Sequence, residues 1–448
     1  MRVAINVEQL LHASPGGIGR YVGQLVSLLP TLHPEDEVVP VCAHHRPEDV
    51  ASALRRVGVP PGGRVTPVVL PLPRPLLYRS WLWTGRPLLD QPGDTHRPWA
   101  RGTGAGRVDL VHAPSLALPG RGAAPLVVTV HDAAHERFPE AFSPAGRAFH
   151  RRGAAMAARR ADLVLTVSNA AAEEIASLTP IPRNRIRVVP LGIQLPTPTP
   201  DPDTEAALRR SLGLGLGLGG GGGGGSRAGD GTPGGSRAGD GTPGGSRAGD
   251  GTLGGTRGGD GRWPYVLWLG SAEPRKDLPT LVAAMARLAR QRGAGGGALG
   301  DTRLVLAGFP GWRQGGRIPT EDRDALGERL VEVGTVPDAT LWALYRGAAL
   351  FAFPSRHEGF GLPVLEAMGQ GTAVLCSDIP ALREVAGTAA AFAPVGDVAG
   401  WAERIQALLA DDAERARLGA AGRARAAEFP VSAFVEGTHR AYLDVLGT

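Results

Sequence analysis

Two glutamates and two glycines in one short segment could bind an anion together with the hydroxyl groups attached to it. Glu358 and Glu366 are eight residues apart, and Gly359 and Gly361 lie between them. The segment comes after a short apolar run and leads into a helix expected at Leu362 to Met368. Free backbone N–H groups at a helix N-terminus attract anions, while carboxylates accept hydrogen bonds from hydroxyl groups. A surface glutamate at each position is the alternative, and it explains either acid alone better than it explains the whole set.

A single lysine could supply positive charge to the same kind of ligand. The chain has 48 basic side chains, and Lys276 is its one lysine. We interpret the arginine excess as a coding bias that leaves lysine where a compact, mobile charge is needed, with chance retention as the alternative. Arg275 and Lys276 follow the apolar run YVLWLG. Because open α/β sheets bind ligands at the carboxyl ends of their strands, this loop is a candidate anion site.

The elements that must position these side chains are short parallel strands. In residues 1–195 and again in 263–430, brief β-branched runs alternate with helix-like segments. The runs are continuously apolar, which is typical of parallel strands buried on both faces. This alternation predicts an α/β fold with one doubly wound parallel sheet in each half.

A low-complexity segment at 196–262 separates the two halves. It is rich in glycine and repeats GSRAGDGTPG with a period of ten residues. Such a composition cannot bury enough apolar surface to fold, so we predict a flexible tether. Calcium-binding glycine–aspartate repeats are a rival interpretation, but they have nine residues per turn and an apolar anchor, which this repeat lacks.

The segment Glu358 to Glu366, EGFGLPVLE, resembles the paired-glutamate motif of retaining GT-B glycosyltransferases, specifically the mannosyltransferase-like glycosyltransferase family 4 (group 1). Five other segments resemble family motifs in the same order: GGIGRYVGQL, TVHD, TVSNAAAEEI, IRVVPLGI and SAEPRKDL. The resemblance covers both halves of the chain but not the glycine-rich segment or much of residues 65–107. It implies a GT-B fold, in which two Rossmann-like domains face a cleft and a C-terminal helix at about 431–448 crosses back to the first domain.

The resemblance implies roles for the charged residues of the second half. Arg275 and Lys276 would grip the diphosphate of a nucleotide-sugar donor and stabilise the charge of the leaving group. Glu358 would act as a catalytic residue that contacts sugar hydroxyls, and Glu366 would bind the ribose diol. Asp277 stands where relatives often carry asparagine or glycine, and we expect it to cap the next helix.

In the first half, the resemblance points to the end of the run LVVTV. His131 would position the donor sugar or its β-phosphate, and Asp132 would orient the acceptor. A structural role for a lone histidine is an equally good interpretation. The remaining donor-binding residues are expected to be Gly16, Gly17, Val336, Gly359, Phe360, Gly361 and Leu362.

We therefore expect a retaining enzyme that moves a hexose, such as mannose, from a nucleotide-diphosphate sugar to a glycan or a lipid-linked acceptor. We expect no cofactor and no metal, since the Asp-x-Asp pair Asp201-Pro-Asp203 lies outside the strand-rich regions. One alternative is a non-catalytic sugar-nucleotide-binding protein with this fold. Another is a nicotinamide-dependent oxidoreductase, suggested by the glycines at 17, 19 and 23, although they lie too far from the first strand for a dinucleotide fingerprint.

Charge and composition limit the partners. The net charge is +5, but the arginines are dispersed and aromatic residues make up 5%, so we expect no nucleic-acid partner. With two distant cysteines, no signal-peptide pattern and no apolar run of about 18 residues, we expect a cytoplasmic protein. The segment Pro71 to Leu89 mixes tryptophan and leucine with arginine. It could rest on an anionic membrane surface or pack as an ordinary surface helix.

Overall fold

Two parallel β-sheets form the framework of the protein. They are seen in a computed structural model that describes residues 1–12, 15–59, 65, 67–89, 108–120, 122–196, 264–291, 299–308 and 318–448. The predicted α/β class, with a doubly wound parallel sheet in each half, is confirmed. The Asp201-Pro-Asp203 pair and the predicted tether from residue 197 onward lie outside the described residues.

The first sheet has seven described strands in the order β3-β2-β1-β4-β5-β6-β7, and all neighbours pair in parallel. The strands are β1 (Arg2–Asn6), β2 (Glu37–Cys42), β3 (Val68–Val69), β4 (Leu110–Ala113), β5 (Leu126–Thr129), β6 (Leu163–Thr166) and β7 (Ile186–Val188). The chain order reverses between β1 and β4, which places a ligand-binding crevice at their carboxyl ends.

The second sheet repeats this arrangement with six described strands in the order β10-β9-β8-β11-β12-β13. The strands are β8 (Tyr265–Leu269), β9 (Arg303–Ala307), β10 (Leu330–Gly334), β11 (Leu350–Phe353), β12 (Val374–Ser377) and β13 (Ala391–Ala393). Here the order reverses between β8 and β11. The loops that carry Lys276 and Glu358 follow these two strands, so the topology brings both loops to one crevice.

Helices cover the faces of both sheets. In the first half they are α1 (Gly16–Leu32), α2 (Pro47–Arg56), α3 (Arg74–Thr84), α4 (Ala134–Arg137), α5 (Pro144–Arg160) and α6 (Asn169–Leu178). In the second half they are α7 (Leu278–Arg290), α8 (Thr320–Leu326), α9 (Asp338–Gly347), α10 (Leu362–Gly369), α11 (Pro380–Ala386), α12 (Val398–Ala410), α13 (Asp412–Ala427) and α14 (Val431–Leu446).

Helix α14 ends the chain but packs against α1 of the first half. Phe434 and Tyr442 on α14 are fully buried, and the Phe434 ring lies 5.0 Å from that of Tyr21 on α1. A backbone bridge between Ile193 and Pro430 joins the end of the first half to the start of α14. One apolar cluster therefore continues from the first sheet through these residues into the second half.

Helix α3 lies within the segment that had two interpretations. Its Leu77 and Trp81 are buried in the core of the first half, as expected for a packed surface helix. Leu76 and Trp83, however, are 53% and 69% exposed. The helix thus packs on the core and also presents apolar side chains to solvent. Within the described residues, no helix combines the length and the apolar character needed to span a bilayer.

Candidate active site

The loops after β8 and β11 bring the predicted cations and one predicted acid into a single ion cluster. Lys276 Nζ donates to Glu358 Oε1 at 2.6 Å, and Arg275 Nη1 lies 3.7 Å from Glu358 Oε2. Arg275 Nε also donates to Glu273 Oε2 at 2.9 Å. The Arg356 backbone N–H donates to the Arg275 carbonyl at 2.8 Å, which ties the two loops together.

Burial and charge compete in this cluster. The side chains of Lys276 and Glu358 are 11% and 8% exposed. Burial alone would raise the pKa of Glu358, but Lys276 and Arg275 hold it below its ordinary value, so the carboxylate is ionised. Burial lowers the pKa of Lys276, with Arg275 acting in the same direction, while Glu358 opposes the change. The cations are thus held in place by an acid that partly neutralises them.

The end of β5 meets this cluster from the other half of the chain. A Cβ atom on Gly359 would lie 2.2 Å from the His131 carbonyl oxygen, so only glycine allows this approach. Asp132 Oδ1 accepts a hydrogen bond from the Ala134 N–H at 3.0 Å. Burial would raise the pKa of Asp132, but the charges of Arg275 and His357 outweigh it and lower that pKa. The two halves therefore share one electrostatic site.

His131 is held as a neutral ring with a defined tautomer. Its Nε2 lies 3.0 Å from the Pro114 carbonyl oxygen, which can only accept, so Nε2 carries the proton. Burial lowers the pKa of His131 and keeps the ring uncharged at neutral pH. Its Nδ1 is left as a hydrogen-bond acceptor. The edge of the Tyr21 ring packs against it, with centroids 5.0 Å apart.

A buried polar chain supports Tyr21 and so fixes the surroundings of His131. Tyr21 Oη and Thr129 Oγ1 are 2.7 Å apart, and Thr129 Oγ1 is 2.8 Å from His112 Nε2. His112 Nδ1 is in turn 2.7 Å from Tyr442 Oη on α14. Burial lowers the pKa of His112 to about 3, so its ring is neutral. The chain therefore connects the C-terminal helix to the candidate site.

The start of α10 has the helix N-terminus that the motif predicts. Gly361 adopts a φ of +103°, and a Cβ atom there would lie 2.4 Å from Leu382 Cδ2. Phe360 and Leu362 beside it are buried. Since Gly361 lies in the left-handed region and its surroundings are crowded, the turn into the helix requires glycine.

Glu366, one turn into α10, is 2% exposed and binds two groups. Its Oε2 accepts from Tyr345 Oη at 3.0 Å, and its Oε1 forms an ion pair with Arg20 Nη1. Arg20 lies on α1 in the first half, so this contact crosses between the two halves. Arg20 Nη2 also lies 3.7 Å from Asp338 Oδ1. Arg20 was not among the predicted site residues, although it lies within the segment GGIGRYVGQL.

The other predicted donor-binding residues lie near the start of α1 and the end of β10. Gly16 and Gly17 begin α1, the helix that carries Arg20, and both are exposed. A Cβ atom on either glycine would meet nothing within 4 Å, although Gly16 has a φ of +60°. Val336 follows β10, is half-buried and precedes Asp338 by two residues. Within the described residues, no hydrogen bond joins these three residues to the Lys276–Glu358 pair.

Polar contacts that the sequence analysis missed hold the two halves together beside the site. Ser168 Oγ donates to the Gly359 carbonyl at 2.6 Å while capping α6. His357 Nε2 lies 2.8 Å from Glu174 Oε1 on α6. The Glu384 carboxylate accepts from the first N–H groups of α6, at residues 169 and 170. The contact with Glu384 follows a general rule, since the free N–H groups at the start of a helix favour a nearby acid.

Asp277 differs from the expectation that its side chain would cap α7. It occupies the residue before the helix with a φ of 48°, and its Oδ2 accepts from Thr280 Oγ1 at 2.9 Å. Its side chain makes no cap hydrogen bond to the backbone. Burial raises the pKa of Asp277. The Asp277 carboxylate thus accepts a hydrogen bond from a hydroxyl group and not from the N–H groups of the helix.

Family models match both halves of the chain. Residues 15–195 match the model described as glycosyltransferase family 4, and residues 259–425 match that of glycosyl transferases group 1. The chain belongs to the glycosyltransferase family that these two models describe, family 4 (group 1). The sequence-based assignment to glycosyltransferase family 4 (group 1) is thereby confirmed.

A curated relative and two solved structures are similar to this glycosyltransferase. O-antigen chain mannosyltransferase B of Escherichia coli is 36% identical over 169 residues, which is 37% of this chain and 42% of that protein. The match thus spans about two fifths of the relative's length. Sucrose-phosphate synthase from Thermosynechococcus elongatus aligns over 100% of this chain and 99% of its own, with TM-score 0.66 and 21% identity. Anabaena HepE in complex with UDP-glucose aligns over 98% and 99%, with TM-score 0.64 and 16% identity. These structures support the GT-B fold.

The His357–Glu174 contact predicts a pH-dependent link between the two halves of this glycosyltransferase. Burial would lower the pKa of His357, but the hydrogen bond to Glu174 and the nearby acids raise it above the ordinary 6.5. A raised folded-state pKa means that the stabilisation is complete below pH 6.5 and is lost as the pH rises through the raised value. A double-mutant cycle of His357→Gln and Glu174→Gln, measured by thermal unfolding, should give a coupling of about 1 kcal/mol at acidic pH. The same coupling at acidic pH and at about pH 9 would contradict this assignment.

Proposed function

We propose that this glycosyltransferase transfers a hexose, such as mannose, from a nucleotide-diphosphate sugar to a hydroxyl group of a glycan or lipid-linked acceptor, with retention of the anomeric configuration. One observation carries the proposal: Lys276, Arg275 and Glu358 form an ion cluster at the switch point of one sheet, in electrostatic contact with Asp132 at the end of a strand of the other. Such a cluster is suited to an anionic donor bound between two domains.

The diphosphate would bind to the cations of this cluster. Arg275 and Lys276 are paired with Glu273 and Glu358, and an incoming diphosphate would compete for their N–H groups. The amide groups at the start of α10 add partial positive charge on the same side. Negative charge grows on the diphosphate as the sugar leaves, so fixed cations here lower the barrier to the reaction.

The donor sugar would lie between Glu358 and His131. The Glu358 carboxylate accepts hydrogen bonds from sugar hydroxyls, and the unprotonated Nδ1 of His131 offers a second acceptor. Asp132, which is ionised, would orient the acceptor hydroxyl. That hydroxyl would attack the anomeric carbon on the face from which the diphosphate departs, and the departing diphosphate would take its proton.

The nucleoside would occupy the neighbouring end of the cleft. Glu366 is suited to accept hydrogen bonds from both hydroxyls of a ribose diol. Glu366 is 2% exposed and its Oε1 is paired with Arg20, so ribose binding would need Arg20 to move aside and uncover the carboxylate. Val336, after β10, would lie beside the base. Gly16 and Gly17, at the exposed start of α1, would let the backbone approach the phosphate or the acceptor.

Arg275, Lys276 and the N–H groups at the start of α10 would take the place of a divalent metal. Asp132 and Glu358, the acids nearest the proposed diphosphate site, lie beside Arg275 and Lys276, so their carboxylates are already compensated by cations and would not need a metal ion. We therefore propose catalysis without metal. The mannosyltransferase named above supports mannose as the sugar, and the UDP-glucose complex of HepE supports a nucleotide-sugar donor.

The experiment that tests this function incubates the purified protein with GDP-, UDP- and ADP-sugars. Calorimetry identifies the donor, and NMR of the product measures its anomeric configuration. We expect turnover of one donor, a product with the donor's configuration, and equal rates in chelator and in Mg²⁺. An inverted product would refute the retaining mechanism. Binding without transfer or hydrolysis would favour the non-catalytic alternative, and binding of a nicotinamide cofactor would favour the oxidoreductase.

Replacing the lysine tests the role of the ion cluster. Lys276→Ala removes the charge closest to Glu358, so turnover of the donor should fall tenfold or more, on the scale of one lost charge-assisted contact. Because the diphosphate is most negative in the transition state, kcat should fall more than KM rises. Steady-state kinetics with the identified donor measures both.

The matched control is Arg287→Ala, which removes an exposed cation from the following helix α7. This variant should retain full activity. Lys276→Arg keeps the charge but replaces a compact ammonium with a planar group, and it should recover only part of the activity. Near-normal kinetics in a folded Lys276→Ala protein would contradict the assignment.

We also propose that the protein rests on anionic membrane surfaces through α3. Leu76, Arg79 and Trp83 are spaced three and four residues apart, which places them on one face of the helix, and all three are exposed. Arg152 of α5 lies over the Trp83 ring at 4.0 Å. A surface that combines exposed tryptophan and leucine with arginine is suited to the interface of anionic lipids.

Vesicle binding tests this surface. Wild-type protein should bind vesicles with phosphatidylglycerol more strongly than pure phosphatidylcholine vesicles, and Trp83→Ala with Arg79→Ala should reduce that binding about tenfold. The control Leu178→Ala changes another exposed leucine of the first half, on α6, and should bind normally. Equal sedimentation of the double variant and the wild type with anionic vesicles would refute the proposal.

A further inference from the structure

Two histidines and two acids meet where the end of α1 contacts α14. They are His33, Glu35, Asp36 and His439, and we call them the His33–His439 cluster. One nitrogen or oxygen atom from each lies within 4.8 Å of those of the others. His439 Nε2 is 2.8 Å from Asp36 Oδ2, and His33 Nδ1 is 3.6 Å from Glu35 Oε1. Among the described residues, this is the group of histidines and acids whose side chains lie close enough together to hold a metal ion.

We propose that the His33–His439 cluster binds one Zn²⁺ ion. Imidazole nitrogens and carboxylate oxygens are typical zinc ligands, at distances of about 2.0–2.2 Å and usually four in number. The ligand atoms must therefore draw closer together for the ion to bind. Glu35 can do so easily because its side chain is 67% exposed.

One ring must turn for the metal to bind. The rings of His33 and His439 are stacked with centroids 3.5 Å apart and planes 11° apart. A metal lies in the plane of each imidazole that binds it, so two stacked rings cannot share an ion until one rotates. His33 is the better candidate to rotate, since its Nε2 makes no hydrogen bond within the described residues, whereas His439 Nε2 is held 2.8 Å from Asp36 Oδ2. Glu436 Oε2 lies 3.3 Å from that nitrogen and could become a further ligand.

The charges around the cluster favour a cation. Glu35, Asp36 and Glu436 supply three carboxylates, while the Met1 amino group, 2.6 Å from Asp36 Oδ1, is the ammonium in direct contact. That contact leaves Asp36 Oδ2 facing His439 and fixes the carboxylate, as groups behind a metal ligand commonly do. A divalent ion would offset the excess negative charge.

The position of the cluster gives the ion a structural role. His33 follows the last residue of α1, and Asp36 precedes β2, so both lie at the amino ends of the parallel strands. The candidate active site lies at the carboxyl ends, on the opposite edge of the sheet. The ion would join α14 to the first half of the chain without contacting the donor. This inference does not depend on the proposed function.

Direct binding of Zn²⁺ to the full-length, tag-free protein tests the inference. Protein treated with a chelator is titrated with Zn²⁺ against a chromogenic competitor. We expect one site per chain, an upward shift of the thermal unfolding midpoint on binding, and at least tenfold weaker affinity in His33→Ala and in His439→Ala. The matched control is His44→Ala, which removes an exposed histidine of the same half and should bind like the wild type.

Two measurements keep the test decisive if His439→Ala fails to fold. Glu35→Gln changes an exposed side chain and should weaken Zn²⁺ binding while leaving the circular dichroism spectrum unchanged. Long-range ¹H–¹⁵N spectra should show Zn²⁺-dependent shifts of the imidazole nitrogens of His33 and His439 and not of His44. The proposal is overturned if Zn²⁺ does not bind, or if the folded His33→Ala and Glu35→Gln variants bind it with wild-type affinity.

Discussion

Compensation of buried charge is the constraint on which the candidate site depends. Arg275, Lys276, Glu358 and Asp132 are all largely removed from water, and each lies beside a group of opposite charge. Loss of one partner from a buried pair typically costs about 3–5 kcal/mol, because the other charge stays buried and unpaired. The cluster is therefore stable only while the loops after β8, β11 and β5 are all in place. The same cations are suited to an anionic ligand, so the interactions that hold the loops are those the donor would use.

The contacts between the two halves divide into an apolar part and a polar part. Around α14, buried side chains such as Phe434 and Tyr442 form a continuous core that separates only at a large cost. Beside the site, the halves meet through hydrogen bonds and ion pairs, among them Ser168 with Gly359 and Glu174 with His357. Polar contacts can exchange with water, whereas an apolar core cannot. This distribution suits a cleft that opens beside the candidate site while the two halves stay joined at α14.

Most strands predicted from continuous apolar runs lie inside the sheets, although β7 (Ile186–Val188) lies at an edge and is partly exposed, and three other strands were not predicted. These are β3 (Val68–Val69), β10 (Leu330–Gly334) and β13 (Ala391–Ala393), and all three lie at sheet edges. Strand β10 is partly exposed along its length and includes the exposed Glu332, which interrupts the apolar run. An edge strand needs only one covered face and one partner, so its sequence carries a weaker signal.

The sequence by itself determined which loops carry the charged residues of the candidate site. Runs of apolar residues set the strands, and the rule for parallel sheets places the loops after β8 and β11, with Lys276 and Glu358, at one edge. Only the tertiary structure decided the partners: that Lys276 pairs with Glu358, that Arg20 reaches Glu366, and that His439 stacks on His33. Strand formation depends on neighbouring residues and is therefore readable locally. Pairing across the cleft or onto α14 depends on how distant segments dock, and that is the sum of many packing contacts that no local pattern contains.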